Sequence, residues 1–307
     1  MLAQRLITGP LLIVAIVALF WGDDRLAGAP LPASLAPVFG AAAPPGLLLW
    51  AFIVALLAPA ATRELVGLLR GQGLAAWWPI HLVGAVAALT AVWMAALHGA
   101  EAMAADGGAL RSAATAPLFL AIVLVVVVAA AFVAAARGRT IEGATAAVGG
   151  ALLTTVLLGV LPAFYLALRA ERSAWIVLGA ILTAKACDIG AYFVGRTIGR
   201  NKLIPWLSPG KTWEGVGGGI AFGALVGALL ALASGALPEA ERVAPALGAL
   251  AGALFAVVGQ AGDLAESLLK RAAGAKDSGR SLPGMGGVLD VIDSAVATAP
   301  VAWLLLR

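Results

Sequence analysis

The chain holds one cysteine, two histidines and two tyrosines in 307 residues, and only 12% of it is charged. A lone Cys187 excludes an intrachain disulfide framework, and together with His81 and His98 it cannot form a Cys/His zinc cluster. Any metal must therefore rest on oxygen ligands. Cys187 has no histidine near it in sequence and reads as a buried, inert thiol. His81 and His98 stand singly near apolar helix ends, where packing is the expected role. The net charge of +4 and pI near 9.6 do not describe a nucleic-acid binder, because the basic residues are spread over short loops and form no face interleaved with aromatics.

Apolar sequence fills the chain instead. It is 62% hydrophobic with a mean hydropathy of +1.01, well beyond an ordinary soluble domain. Stretches of about twenty apolar residues, the length that crosses a bilayer, fall near 6–22, 46–62, 77–97, 117–136, 144–168, 174–195, 214–236, 245–262 and 287–306. These predict an all-α polytopic integral membrane protein with about nine transmembrane helices. The first stretch, preceded by Arg5 and followed by Ala27-Gly28-Ala29, has the outline of a cleaved signal, yet the number of later spans predicts that it is retained.

An odd number of crossings separates the termini. Arg5, Arg63, Arg70, Arg137, Arg139, Arg196, Arg200, Lys202, Lys211, Lys270, Arg271, Lys276 and Arg280 then share one face, which the positive-inside rule makes cytoplasmic. Residues 1–170 are expected to form a scaffold facing lipid, and 171–307 to carry the chemistry. Gly215, Gly219, Gly223 and Gly227 recur every four residues and predict a close helix–helix contact.

Two polar segments interrupt this pattern. In the first, Lys185, Asp188 and Tyr192 share one face of an otherwise apolar helix, where Lys185 and Asp188 are spaced to pair. Downstream lies Ser208-Pro209-Gly210-Lys211-Thr212-Trp213-Glu214-Gly215, which has the hydroxyls, lysine and glycine of a phosphate-binding loop without the spacing of a P-loop. In the second segment Asp263, Glu266, Ser267 and Lys270 fall at i, i+3, i+4 and i+7 of a helix, and Asp290 and Asp293 share a face of the next. Between them Pro283-Gly284-Met285-Gly286-Gly287 must turn tightly, and its backbone N–H groups are expected to approach an anion. Asp263 and Asp290 could hold a hard cation such as Mg²⁺ while Lys270, Arg271 and Lys276 neutralise phosphate oxygens. Glu64, at the end of the second span, reads as a solvated helix-end charge.

These two segments resemble those of the CDP-diacylglycerol synthases, or phosphatidate cytidylyltransferases. The pattern S-x-x-K-R, K-D, P-G-H-G-G, D-R-x-D is met by Ser267, Lys270, Arg271, Lys276, Asp277, Pro283, Gly284, Gly286, Gly287, Asp290 and Asp293; D-x-x-A-Y is met by Asp188 and Tyr192, and S-P-K-K-T-x-E-G by the 208–215 run. Met285, Val291 and Gly210 stand where the family carries histidine, arginine and lysine. The resemblance covers roughly the last 120 residues.

It implies transfer of CMP from CTP to phosphatidic acid at the cytoplasmic face of a bacterial-type inner membrane, with loss of pyrophosphate. Carried over residue by residue, it implies Asp188, Lys211, Lys270, Arg271, Lys276 and Asp277 as catalytic residues. It further implies Ser208, Pro209, Thr212, Glu214, Ser267, Gly286 and Gly287 at the substrate, and Asp263 and Asp290 on Mg²⁺, with K⁺ as a second cation and a homodimer as the assembly. No nucleic acid is expected as a partner. Two other readings accommodate the same charges: a transporter of an anionic metabolite, and a CTP-dependent enzyme acting on another lipid.

Overall fold

The computed structural model describes residues 2–35, 39–104, 109–137, 142–282, 284 and 286–307; Arg139, Pro283 and Met285 of the sequence reading lie outside them. The helices are α1 (Leu2–Leu26), α2 (Leu47–Gly71), α3 (Trp78–Ala104), α4 (Ala109–Arg137), α5 (Ala144–Glu171), α6 (Ala174–Thr197), α7 (Trp213–Ala233), α8 (Pro245–Ala272) and α9 (Val288–Leu306). Among the described residues, eight helices are long and apolar enough to cross a membrane, and they match the apolar stretches from 46–62 onward. The remaining stretch, 6–22, lies in α1. An all-α membrane architecture is thus the observed one, with a single short hairpin added to it. Its strands β1 (Lys202–Ile204) and β2 (Ser208–Thr212) are antiparallel, with Lys202 opposite Thr212 and Ile204 opposite Ser208.

Proline shapes two of the spans. A π-helical segment, Ile53–Leu57, sits just before Pro59 in α2, and another, Val156–Val160, just before Pro162 in α5. Proline has no N–H and crowds the preceding turn, so the helix widens there and continues.

Between helices in lipid there is little hydrophobic gain, and close backbone approach has to supply the cohesion. The 215–227 glycines do this. All are buried, and α7 packs against both α6 and α8. A Cβ on Gly252 would stand 2.0 Å from the Gly223 carbonyl oxygen, and one on Gly227 would stand 2.1 Å from that of Gly248. Cys187, buried on α6, donates its thiol to the Gly252 carbonyl at 3.4 Å. We expect Gly252→Ala to cost about 1–3 kcal/mol by overpacking, read as a lowered unfolding midpoint of the detergent-solubilised protein. Gly217→Ala on the facing helix α7, where a Cβ meets open space, should leave the midpoint in place.

At the opposite end of the bundle from the hairpin, Asp23 of α1 is buried against Arg169 of α5, with Oδ2 2.7 Å from Nε. The same carboxylate accepts the backbone N–H groups of Gly46, Leu48 and Leu49 at 3.2, 3.0 and 3.4 Å. Gly46 is the N-cap of α2 and has no side chain with which to cap it, so α1 supplies the acceptor.

Candidate active site

Five carboxylates and three lysines from α6, β2, α8 and α9 converge at the hairpin end of the bundle. Oxygens of Asp263, Glu266 and Asp293 lie within 4.8 Å of one another. Lys211, carried by β2, reaches Asp263 Oδ2 at 2.8 Å. Lys270 Nζ is 2.7 Å from both Glu266 Oε2 and Asp290 Oδ1. Lys185 donates to Asp188 Oδ2 at 3.2 Å, as their spacing predicts, and lies 3.9 Å from Asp293 Oδ1. Ser294 joins this pair: its hydroxyl accepts from Lys185 and donates to Asp188, each at 2.7 Å.

The donor set fits a hard divalent cation. With Asp188, Asp263, Glu266, Asp290 and Asp293 set against Lys185, Lys211 and Lys270, the cluster carries a formal excess of two negative charges, the charge one divalent ion balances. Glu266 is buried, and its Oε1 has no hydrogen-bond partner among the described residues. A buried, unpartnered carboxylate oxygen is costly unless a cation meets it. Only oxygen is offered, which suits Mg²⁺ and similar ions better than softer metals.

This grouping differs from the pair expected from sequence. Asp263 joins Glu266 and Asp293, whereas both oxygens of Asp290 are engaged elsewhere: by Lys270, by the Ser278 N–H and hydroxyl at 3.0 and 2.9 Å, and by the Gly287 N–H at 2.8 Å. The signal was in the sequence. Asp263 and Glu266 repeat the i, i+3 spacing of Asp290 and Asp293, so two facing helices each present a carboxylate pair.

Other expected site residues are used locally. Thr212 is the buried N-cap of α7, its hydroxyl accepting the Gly215 N–H at 3.0 Å. Glu214 accepts from the Arg200 and Asn201 N–H groups and from the Asn201 amide, closing the loop before β1. Ser267 donates to Asp263 at 3.4 Å. Arg271, exposed, donates to the carbonyls of Leu207 and Ala275 and so ties the hairpin to the end of α8. Ser208 and Pro209 lie in β2, and Lys276 and Asp277 are exposed on the following loop. Tyr192 is exposed and its hydroxyl accepts from Arg196 at 2.7 Å, apart from the Lys185–Asp188 pair on the same helix. Gly210 leaves room where the resemblance calls for lysine, since a Cβ there meets nothing.

One expectation is overturned, that of a solvated Glu64, and the glycine turn beside it is engaged within the protein. The Gly-rich turn exists, with positive φ at Gly284 and Gly286, but the N–H groups at its end are already taken by the protein's own carboxylates. Gly287 donates to Asp290, and Val288 and Leu289 donate to Glu64 Oε1 and Oε2 at 3.0 and 2.9 Å. Glu64 is correspondingly buried, not solvated. It also accepts the Ser281 hydroxyl at 2.6 Å and shares the single hydrogen of the Ser278 hydroxyl, 3.1 Å away, with Asp290. Two glycines make room for it, because a Cβ on Gly279 or Gly287 would come within 2.5 Å or 2.4 Å of its carboxylate oxygens. Local sequence gave no sign of this: the partners of Glu64 lie more than 200 positions away.

Comparison with known proteins finds relatives of this chain. Phosphatidate cytidylyltransferase of Brucella suis is 51% identical over 117 residues, covering 38% of this chain and 41% of the relative. The Bacillus subtilis enzyme of the same name is 42% identical over 120 residues (39% and 42%), and that of Pseudomonas aeruginosa 40% identical over 131 residues (43% and 47%). The chain thus spans less than half the length of each of these relatives in the matched stretch. The model of the cytidylyltransferase family, by contrast, matches residues 32–307, from before α2 to the end of α9. The chain belongs to the cytidylyltransferase family.

Proposed function

We propose that this protein transfers CMP from CTP to phosphatidic acid, giving CDP-diacylglycerol and pyrophosphate, at the cytoplasmic face of a bacterial inner membrane. The observation that carries the reading is the carboxylate group of Asp263, Glu266 and Asp293, with its unpartnered oxygen, set among lysines at the basic end of a membrane bundle. The names of the relatives point to the same reaction. In that reaction a phosphate oxygen of phosphatidic acid bonds to the α-phosphorus of CTP while the bond from that phosphorus to the pyrophosphate oxygen breaks. The nucleophile is already anionic, so no general base is needed, and methionine at 285 in place of histidine is compatible with turnover.

Asp263, Glu266 and Asp293 would hold Mg²⁺, which supplies charge neutralisation at the phosphates when bound. The chain's own part is positional and electrostatic. Lys211, on the hairpin, would exchange Asp263 for a phosphate oxygen, while Arg271, tied to the hairpin through Leu207, and the exposed Lys276 would meet the triphosphate. Lys270, Asp290 and Ser278 hold α8 and α9 in register, and Lys185 with Ser294 keeps Asp188 and Asp293 in place. The lipid enters sideways, its acyl chains remaining in the bilayer.

Purified protein in detergent, given CTP, phosphatidic acid and Mg²⁺, should release pyrophosphate and form CDP-lipid detectable by mass spectrometry, and chelation should stop both. Absence of turnover with any lipid phosphate, together with metabolite flux in proteoliposomes, would replace this reading with that of a transporter.

A further inference from the structure

Glu64 belongs to the half of the chain that the sequence assigns to scaffold, yet its carboxylate makes contacts that decide where α9 begins. Gly287, the N-cap of α9, has no side chain, and the first two N–H groups inside the helix would otherwise lack an acceptor. Glu64 accepts both, one on each oxygen. The remaining capacity of those oxygens goes to Ser281 and Ser278, and the Ser278 hydroxyl and N–H in turn face Asp290. No lysine or arginine lies within ion-pair distance of Glu64 among the described residues. Its charge is therefore met by the positive end of α9 and by hydroxyls alone.

Asp290 and Asp293 lie on the first two turns of the helix so held. We infer that Glu64 is a positioning residue of the reaction centre: anchored on α2, it fixes the first turn of α9 and so sets where Asp290 meets Lys270 and where Asp293 meets Asp263 and Glu266. This rests on the proposed metal and CMP-transfer reading for its consequence, and on the hydrogen bonds alone for its cause. Glutamine is nearly isosteric but presents an N–H where Val288 or Leu289 needs an acceptor, whereas aspartate keeps two acceptor oxygens on a shorter stem.

The test compares wild type, Glu64→Gln and Glu64→Asp as purified full chains. Backbone hydrogen exchange of the peptide covering 282–292, Mn²⁺ binding and steady-state turnover are measured on each. In Glu64→Gln the Val288 and Leu289 amides should exchange faster, Mn²⁺ affinity should fall about 10- to 100-fold as for other residues that orient metal ligands, and kcat should drop with KM for CTP unchanged. Glu64→Asp should recover part of both exchange protection and Mn²⁺ affinity. Wild-type exchange and Mn²⁺ binding in Glu64→Gln would overturn the inference, as would equal loss in both variants tracking only a lowered unfolding midpoint. A wild-type chain that binds Mn²⁺ but turns over no CTP would instead overturn the functional reading while leaving this one standing.

Discussion

Asp293→Asn is expected to lower the rate of CMP transfer about 10³-fold, because a carboxylate ligand that helps hold Mg²⁺ contributes to a term worth several kcal/mol at the phosphates. The substitution keeps the side chain's size and its acceptor for the Ser294 N–H, 2.6 Å away, while removing one charge from the group it forms with Asp263 and Glu266. Single-turnover pyrophosphate release and Mn²⁺ titration read the two effects separately. Asp290→Asn is the informative companion. Its oxygens are occupied by Lys270, Ser278 and Gly287, so its loss should loosen the start of α9, reduce turnover and lower Mn²⁺ affinity by about 10- to 100-fold, less than the loss in Asp293→Asn. Should Asp290→Asn impair Mn²⁺ binding more than Asp293→Asn, the ligand pair expected from sequence, Asp263 with Asp290, is the correct one.

Asp23→Ala is expected to destabilise the protein by about 3–5 kcal/mol, the usual cost of leaving one member of a buried ion pair alone. The change strands the Arg169 guanidinium, whose side chain is only 6% exposed, and leaves it with Asp24 at 3.6 Å as its nearest carboxylate. It also removes the acceptor for three N–H groups at the start of α2. The unfolding midpoint in detergent should fall well below that of wild type. The double substitution Asp23→Ala with Arg169→Leu should fall less, because no uncompensated charge then remains. Equal losses in the single and double variants would show that the helix cap, and not the ion pair, carries the effect.

The membrane spans were legible because each needs only its own composition: an apolar run of sufficient length forms a helix in lipid whatever lies beside it. Pairings within one helix turn were legible for the same reason, as with Lys185 and Asp188 or the glycines of α7. Helical spacing also placed Asp263, Glu266, Asp290 and Asp293 on shared faces. It could not tell which of their oxygens were already spoken for by Lys270 or Ser278, since that depends on how two helices meet. The hairpin escaped notice because Lys202–Thr212 is short and polar, and its pairing depends on a turn through Pro205 and Trp206. Glu64 and Asp23 were least legible of all. A helix capped at glycine announces no acceptor of its own, and the residue that provides one belongs to a different helix, so neither half of the contact marks the other in sequence.

Those two caps act on a common element. Asp23 grips the first turn of α2 at one membrane surface, and Glu64, near the last turn of α2, grips the first turn of α9 at the other. Helix α2 is therefore a strut pinned at both ends by polar bonds. A bilayer that is too thin or too thick for its apolar length acts on such a strut by tilting it, and the tilt is delivered directly to the turn that carries Asp290. Turnover is therefore expected to vary with bilayer thickness, read in vesicles made from lipids of differing acyl length.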